Sequence, residues 1–166
     1  MSRLPALIVS GDFLPGFGLL NGRKWAGQQL LRLWGQASGT DPITILVSDA
    51  INYEEFASEL RKAGHQGELN VEGFINAGPI RSVGALFLAD ASIGRWAQWR
   101  HREGQGAFSL IGQIHTICTP AAISQIQDLA IEPLAPWDAL ICSSNAGRAV
   151  VEVLLADKEE QLLLRT

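Results

Sequence analysis

The chain has 166 residues and a formal net charge of −4, with 47% hydrophobic and 18% charged residues. This composition is typical of a folded protein with a sizeable core and excludes an intrinsically disordered chain. The acidic balance gives no electrostatic reason to expect nucleic acid as a partner, and the apolar runs are too short to predict a membrane span.

Apolar runs alternate with segments of helical periodicity through the first half of the chain. Short runs rich in β-branched residues predict strands at 6–9, 43–47, 70–75 and 85–88. A helix is predicted at 24–37, where Trp25, Leu30, Leu33, Trp34 and Ala37 recur near helical spacing as an apolar stripe. A second helix is predicted at 53–63, with Gly64 as its stop.

The alternation continues through the second half and predicts the fold class. Helices are expected at 92–103, 121–131 and from Asn145, as N-cap, to about 164; strands are expected at 108–117 and 139–142. Continuous apolar strands separated by helices predict an α/β fold. We expect a doubly wound, mostly parallel, Rossmann-like sheet with helices on both faces, in one domain spanning 1–166.

A glycine-bearing loop follows the first strand and is a candidate ligand site. Gly16, Gly18 and Gly22 would let backbone N–H groups approach a negatively charged ligand, and Lys24 adds positive charge where the next helix begins. The loop also lies at the carboxyl end of a strand, where such sheets bind ligands. An ordinary glycine-rich turn with solvated bases is the alternative.

The same glycines resemble a dinucleotide-binding fingerprint, and NAD(P) binding is therefore an alternative function. Gly16, Gly18 and Gly22 precede a helix, a strand and Asp49. However, the glycines do not follow the strand directly, and Asp49 lies further from them than the usual spacing of about 20 residues.

Polar residues end the two apolar runs of the last third of the chain. One run ends on His115 and Thr116, and the other on Ser143 and Ser144. Because parallel strands present their carboxyl ends to the ligand crevice, this pattern predicts a site for a hydroxyl-rich or phosphorylated ligand. The alternatives are a packed core histidine and serines that only cap a helix.

The sequence around these residues resembles a known enzyme family. The resemblance is carried by I-H-T-I at 114–117, P-W-D-A-L-I-C-S-S at 136–144 and the glycine-bearing loop. The family is that of the retaining GT-B glycosyltransferases of glycosyltransferase family 4, related to starch and glycogen synthases, of which this chain resembles the N-terminal domain.

The resemblance implies an activity and roles for individual residues. A complete enzyme of this kind transfers a sugar from a nucleotide-sugar donor to an acceptor hydroxyl and needs no metal or other cofactor. His115 would lie beside the transferred sugar and orient one of its hydroxyls. Substrate-binding roles would fall to the following residues: Gly16, Gly18, Gly22, Lys24, Thr116 and Ser144.

The resemblance also implies a second, nucleotide-sugar-binding domain. The family's paired-glutamate motif and basic diphosphate clamp belong to that domain and are not legible in these 166 residues. We therefore expect this chain to be inactive alone and its partner to be that domain, either on the missing C-terminal side or separately encoded. A non-catalytic α/β partner module is the remaining alternative.

The cysteines and histidines predict the compartment and bear on metal binding. Cys118 and Cys142 lie in or beside apolar runs, which indicates reduced thiols in a cytoplasmic protein, and no secretory leader is legible. The three histidines are scattered without the spacing of metal ligands, so no metal site is expected.

Overall fold

The computed structural model describes residues 4–16, 22–47, 53–73 and 78–165. Its strands are β1 (Ala6–Val9), β2 (Ile43–Val47), β3 (Leu69–Gly73), β4 (Ala85–Leu88), β5 (Ser109–Ile114) and β6 (Ala139–Cys142). Its helices are α1 (Gly22–Ser38), α2 (Tyr53–Lys62), α3 (Gly78–Val83), α4 (Ile93–Glu103), α5 (Pro120–Asp128) and α6 (Asn145–Leu163), and a short 3-10 helix spans Gly11–Phe13.

The strands form one all-parallel sheet in the order β3-β2-β1-β4-β5-β6, which confirms the predicted Rossmann-like α/β fold. All five residues of β2 are buried. Ile45 of β2 pairs with Leu7 on one side and Val71 on the other. Parallel strands covered on both faces need such continuous apolar runs, and this is why the sequence pattern located them.

Contacts divide the chain into two compact units, Met1–Leu86 and Phe87–Thr166. The prediction that residues 1–166 form one domain stays a prediction. Two short elements, α3 and the 3-10 helix, were not predicted from the sequence. Both are too short to show a helical period.

In the first unit, the buried face of α1 differs from the predicted stripe. The side chains of Trp25 and Leu33 are 57% and 58% exposed, so their predicted place on an apolar stripe against the core was wrong. The buried residues of the helix are Gly27, Leu31, Trp34, Gly35 and Ser38.

Close helix packing explains which face of α1 is buried. A Cβ added to Gly35 would lie 2.8 Å from Ala63 Cβ and 2.9 Å from the Leu60 carbonyl oxygen. The backbone of α1 therefore lies directly against the end of α2, and only a face of small residues permits that approach. Near one end of the helix, Phe13 packs against Gly27 in the same way, 3.3 Å from its added Cβ.

A buried histidine links α1 to the segment after α2. His65 is 1% exposed, and its Nδ1 lies 2.9 Å from Ser38 Oγ. The Ser38 hydroxyl donates to the Gly35 carbonyl oxygen at 2.9 Å. Since a hydroxyl has one proton to donate, Nδ1 of His65 carries the proton in this pair. Burial, followed by the charge of Arg61, lowers the pKa of His65.

Candidate functional site

His115 and Thr116 lie immediately beyond β5 in the second unit, and both are exposed. Their position is fixed by the apolar residues on either side of them. Ile114 belongs to a buried cluster with Ala91, Ile126 and Val151, and Ile117 packs against that cluster. With the chain anchored before and after them, His115 and Thr116 lie at the surface. The alternative of a packed core histidine is thus wrong.

The segment after Thr116 leads directly into α5 and is held by short-range hydrogen bonds. Thr116 Oγ1 accepts from the Cys118 backbone N–H at 3.2 Å. Thr119 is the N-cap of α5, because its Oγ1 accepts from the Ala122 N–H at 3.2 Å, and Pro120 opens the helix. Both hydroxyls accept through one lone pair, which leaves each O–H proton able to donate elsewhere.

Ser144 lies at the same edge of the sheet, beyond the neighbouring strand. β5 and β6 are parallel, with Ile114 opposite Cys142, so the segments that follow them leave the sheet side by side. Ser144 is the N-cap of α6, since its Oγ accepts from the Gly147 N–H at 3.0 Å. The predicted cap, Asn145, is the first residue of the helix instead.

An open cavity of about 460 Å³ lies at the end of β6. Ser144, Asn145 and Arg148 line it, together with the partly buried Cys142. Arg148 Nε donates to Glu152 Oε1 at 2.8 Å across an exposed ion pair. His115 and Thr116 are outside the lining of this cavity, although they lie at the same edge of the sheet as Ser144.

The glycine-bearing loop belongs to the first unit. Gly16 is exposed and has a positive φ of 84°, a conformation that favours glycine. Gly22 is the first residue of α1, and Lys24 lies in its first turn, half-buried. Gly18 and Asp49 are outside the described residues. The idea that this loop and His115 serve one ligand stays a prediction.

The second unit also contains a buried ion pair that was not predicted from the sequence. The side chains of Arg100 and Asp138 are 0% and 2% exposed. The guanidinium donates from Nη1 to Asp138 Oδ1 at 2.6 Å and from Nη2 to Oδ2 at 2.7 Å, a bidentate pair. It also donates to the Phe108 carbonyl oxygen at 3.0 Å.

Asp138 connects this pair to the start of β5 and to the loop before β6. Its Oδ1 accepts from the Leu110 N–H at 2.9 Å and its Oδ2 from the Ala135 N–H at 2.8 Å. The network therefore holds α4, β5 and the segment before β6 in fixed positions. The two members of the pair lie 38 positions apart in the sequence, so no local pattern points to it.

Across residues 4–16, 22–47, 53–73 and 78–165, no three His, Cys, Asp or Glu side chains are grouped for a metal ion. None of the helices in those ranges is both long and apolar enough to span a bilayer. Both cysteines, Cys118 and Cys142, are free thiols.

The comparisons with known proteins gave no match: no family model, curated protein or solved structure corresponds to this chain. The resemblance to GT-B glycosyltransferases therefore rests on the residues quoted above. It remains a hypothesis about function on a fold that hosts many functions.

Proposed function

We propose that this chain is the acceptor-side, N-terminal half of a GT-B glycosyltransferase, which transfers a sugar from a nucleotide-sugar to an acceptor hydroxyl. One observation carries the proposal. An exposed His115, followed by Thr116, lies at the carboxyl end of β5, and the Ser144 hydroxyl lies beyond the adjacent parallel strand. Ligands of doubly wound sheets bind at this edge.

The chemistry of these side chains suits a sugar. A neutral imidazole has one donor and one acceptor nitrogen, and a sugar hydroxyl needs both. In the proposed role, His115 orients a hydroxyl of the transferred sugar. Thr116 and Ser144 contribute O–H donors from hydroxyls whose lone pairs already accept from the backbone. The expected benefit is orientation of the reacting groups, not attack by a nucleophile.

In this proposal, a nucleotide-sugar-binding domain completes the enzyme, and it is supplied by further sequence or by a separate chain. The 166 residues alone are then expected to be inactive. We also propose a cytoplasmic location, which the two free thiols support because reducing compartments preserve them.

The proposal is tested by comparing the isolated chain with the native complex. A tagged chain is purified from its own cells with whatever remains bound, and release of nucleoside diphosphate from UDP-glucose, UDP-N-acetylglucosamine and GDP-mannose is followed. We expect release with the complex and none with the isolated 166 residues. A complex that contains a partner but transfers no sugar from any donor would favour the non-catalytic α/β module.

The strand order favours a second candidate, an NAD(P)-binding domain. The order β3-β2-β1-β4-β5-β6 is the one found in dinucleotide-binding sheets. In those sheets the glycine-rich turn follows the first strand directly and opens the helix. Here β1 ends at Val9, a 3-10 helix intervenes, and α1 begins only at Gly22. Saturable quenching or enhancement of NADH or NADPH fluorescence by the chain would support this candidate over the first.

A further inference from the structure

A polar groove lies between α1 and α2 in the first unit, beside Pro15. It has a volume of about 320 Å³, at the lower end of the range for small-molecule sites. A second hollow of about 330 Å³ adjoins it and shares Pro15, Glu59 and Lys62 with it. We call the two together the α1–α2 groove.

The groove has an apolar base and polar walls. Phe13 and Leu31, both buried, form part of its lining. The polar side chains come from both helices: Gln28, Gln29 and Arg32 from α1, and Glu59 and Lys62 from α2. Amide, guanidinium, carboxylate and ammonium groups supply hydrogen-bond donors and acceptors within one small space.

Existing contacts hold two of these polar groups in place. Gln28 Nε2 donates to the Leu14 carbonyl oxygen at 3.2 Å, which fixes the direction of the amide. Lys62 Nζ donates to Glu59 Oε1 at 2.7 Å. A ligand hydroxyl, which both donates and accepts, can hydrogen-bond to these side chains without breaking either existing contact.

An exposed tryptophan extends this surface along α1. Trp25 precedes Gln29 by four residues and Arg32 by seven, so the three side chains lie on one stripe of the helix. The side chain of Trp25 is 57% exposed. A flat aromatic ring beside amide and charged groups suits a pyranose, which has an apolar C–H face and a rim of hydroxyls.

The charges of the groove argue against an anionic ligand. Two cations, Arg32 and Lys62, are set against three carboxylates, those of Glu54, Glu55 and Glu59. A phosphate or a nucleotide would meet a wall with a slight excess of negative charge. A neutral, polyhydroxylated ligand carries no such penalty.

We propose that the α1–α2 groove binds a neutral oligosaccharide, with Trp25 stacking on one sugar ring and the polar wall binding its hydroxyls. The further assignment of that oligosaccharide as the acceptor rests on the proposed function. Sugar binding itself does not, because it needs neither a donor nor a second domain.

To test this, the 166-residue chain is titrated separately with maltotriose, cellotriose and N-acetylchitotriose to about 50 mM. Binding is measured by calorimetry and by NMR of the side-chain amides. We expect at least one of them to bind with a Kd of about 1 mM and to shift the NMR signals of the Gln28 and Gln29 amides. Trp25→Ala and Arg32→Ala should each weaken binding about tenfold. Trp137, 51% exposed in the second unit, supplies the matched control, and Trp137→Ala should leave the Kd within about twofold.

Three results would each overturn the proposal: no binding of the three oligosaccharides, binding that Trp25→Ala leaves intact, or displacement of the sugar by inorganic phosphate. These failures are distinct from failure of the proposed function. If the chain binds oligosaccharide while its native complex transfers no sugar, the proposed sugar-binding groove stands and the proposed transferase function fails. If the complex transfers sugar but the chain binds none of the three oligosaccharides, the proposed transferase function stands and the proposed sugar-binding groove fails.

Discussion

Removing the Asp138 carboxylate should be among the most destabilising single changes in the second unit. In Asp138→Ala, the fully buried Arg100 guanidinium loses its counter-ion, and the N–H groups of Leu110 and Ala135 lose their acceptor. Leaving one member of a buried pair uncompensated costs about 3–5 kcal/mol. In a chain of this length that corresponds to a fall in Tm of roughly 10 °C.

The assay is urea unfolding followed by circular dichroism, with thermal melts alongside. The control is Glu152→Ala, which removes the exposed partner of Arg148 and should leave the free energy of unfolding nearly unchanged. Replacing both members, with Arg100→Met and Asp138→Leu together, should cost less than Asp138→Ala alone because no buried charge is left. A loss below about 1 kcal/mol in Asp138→Ala would refute this account of the network.

The same pair predicts how stability depends on acid. Burial raises the pKa of Asp138, but the Arg100 hydrogen bonds and the Ala135 and Leu110 N–H groups outweigh burial, and the net pKa is lowered. The ionised carboxylate therefore stabilises the fold above the unfolded-state pKa, and this contribution is lost as pH falls through the lowered pKa. Asp138→Asn should show a shallower loss of stability with acid than the parent chain.

Two further predictions concern the first unit. Gly35→Ala should cost about 1–3 kcal/mol, because its methyl group would lie 2.8 Å from Ala63 Cβ, whereas Gly106→Ala, with open space around it, should be nearly neutral by the same urea assay. His65 should make the fold less stable in mild acid: burial, and then the charge of Arg61, lowers its pKa, so the unfolded chain takes up a proton first. The free energy of unfolding should thus fall as pH drops below about 6.5, and equal slopes in His65→Gln would contradict this.

Much of the fold could be predicted because its strands are short apolar runs that end abruptly. The bounds of β1, β2, β4 and β6 match the predicted ones. The buried face of α1 could not be predicted, because hydrophobicity alone predicts that Trp25 is buried, whereas the packing of the helices buries Gly35 instead. That choice depends on how closely α2 approaches, which no local pattern encodes.

The features of the candidate site also differ in how far the sequence predicts them. The predicted strand at 108–117 included His115, whereas β5 ends at Ile114 and leaves His115 exposed just beyond it. The Arg100–Asp138 pair joins residues far apart in sequence, so neither residue carries a local signal of burial. The cap of α6 was misplaced by one residue, from Ser144 to Asn145, which is the ordinary uncertainty of a helix end.

The most direct test of the proposed transferase is the effect of His115→Ala on sugar transfer by the native complex. We expect kcat/KM to fall at least about tenfold while the free energy of unfolding is unchanged, because the side chain is exposed. His101→Ala, another exposed histidine of the same unit, should keep full activity. Undiminished transfer by His115→Ala would contradict a role for the imidazole in the reaction.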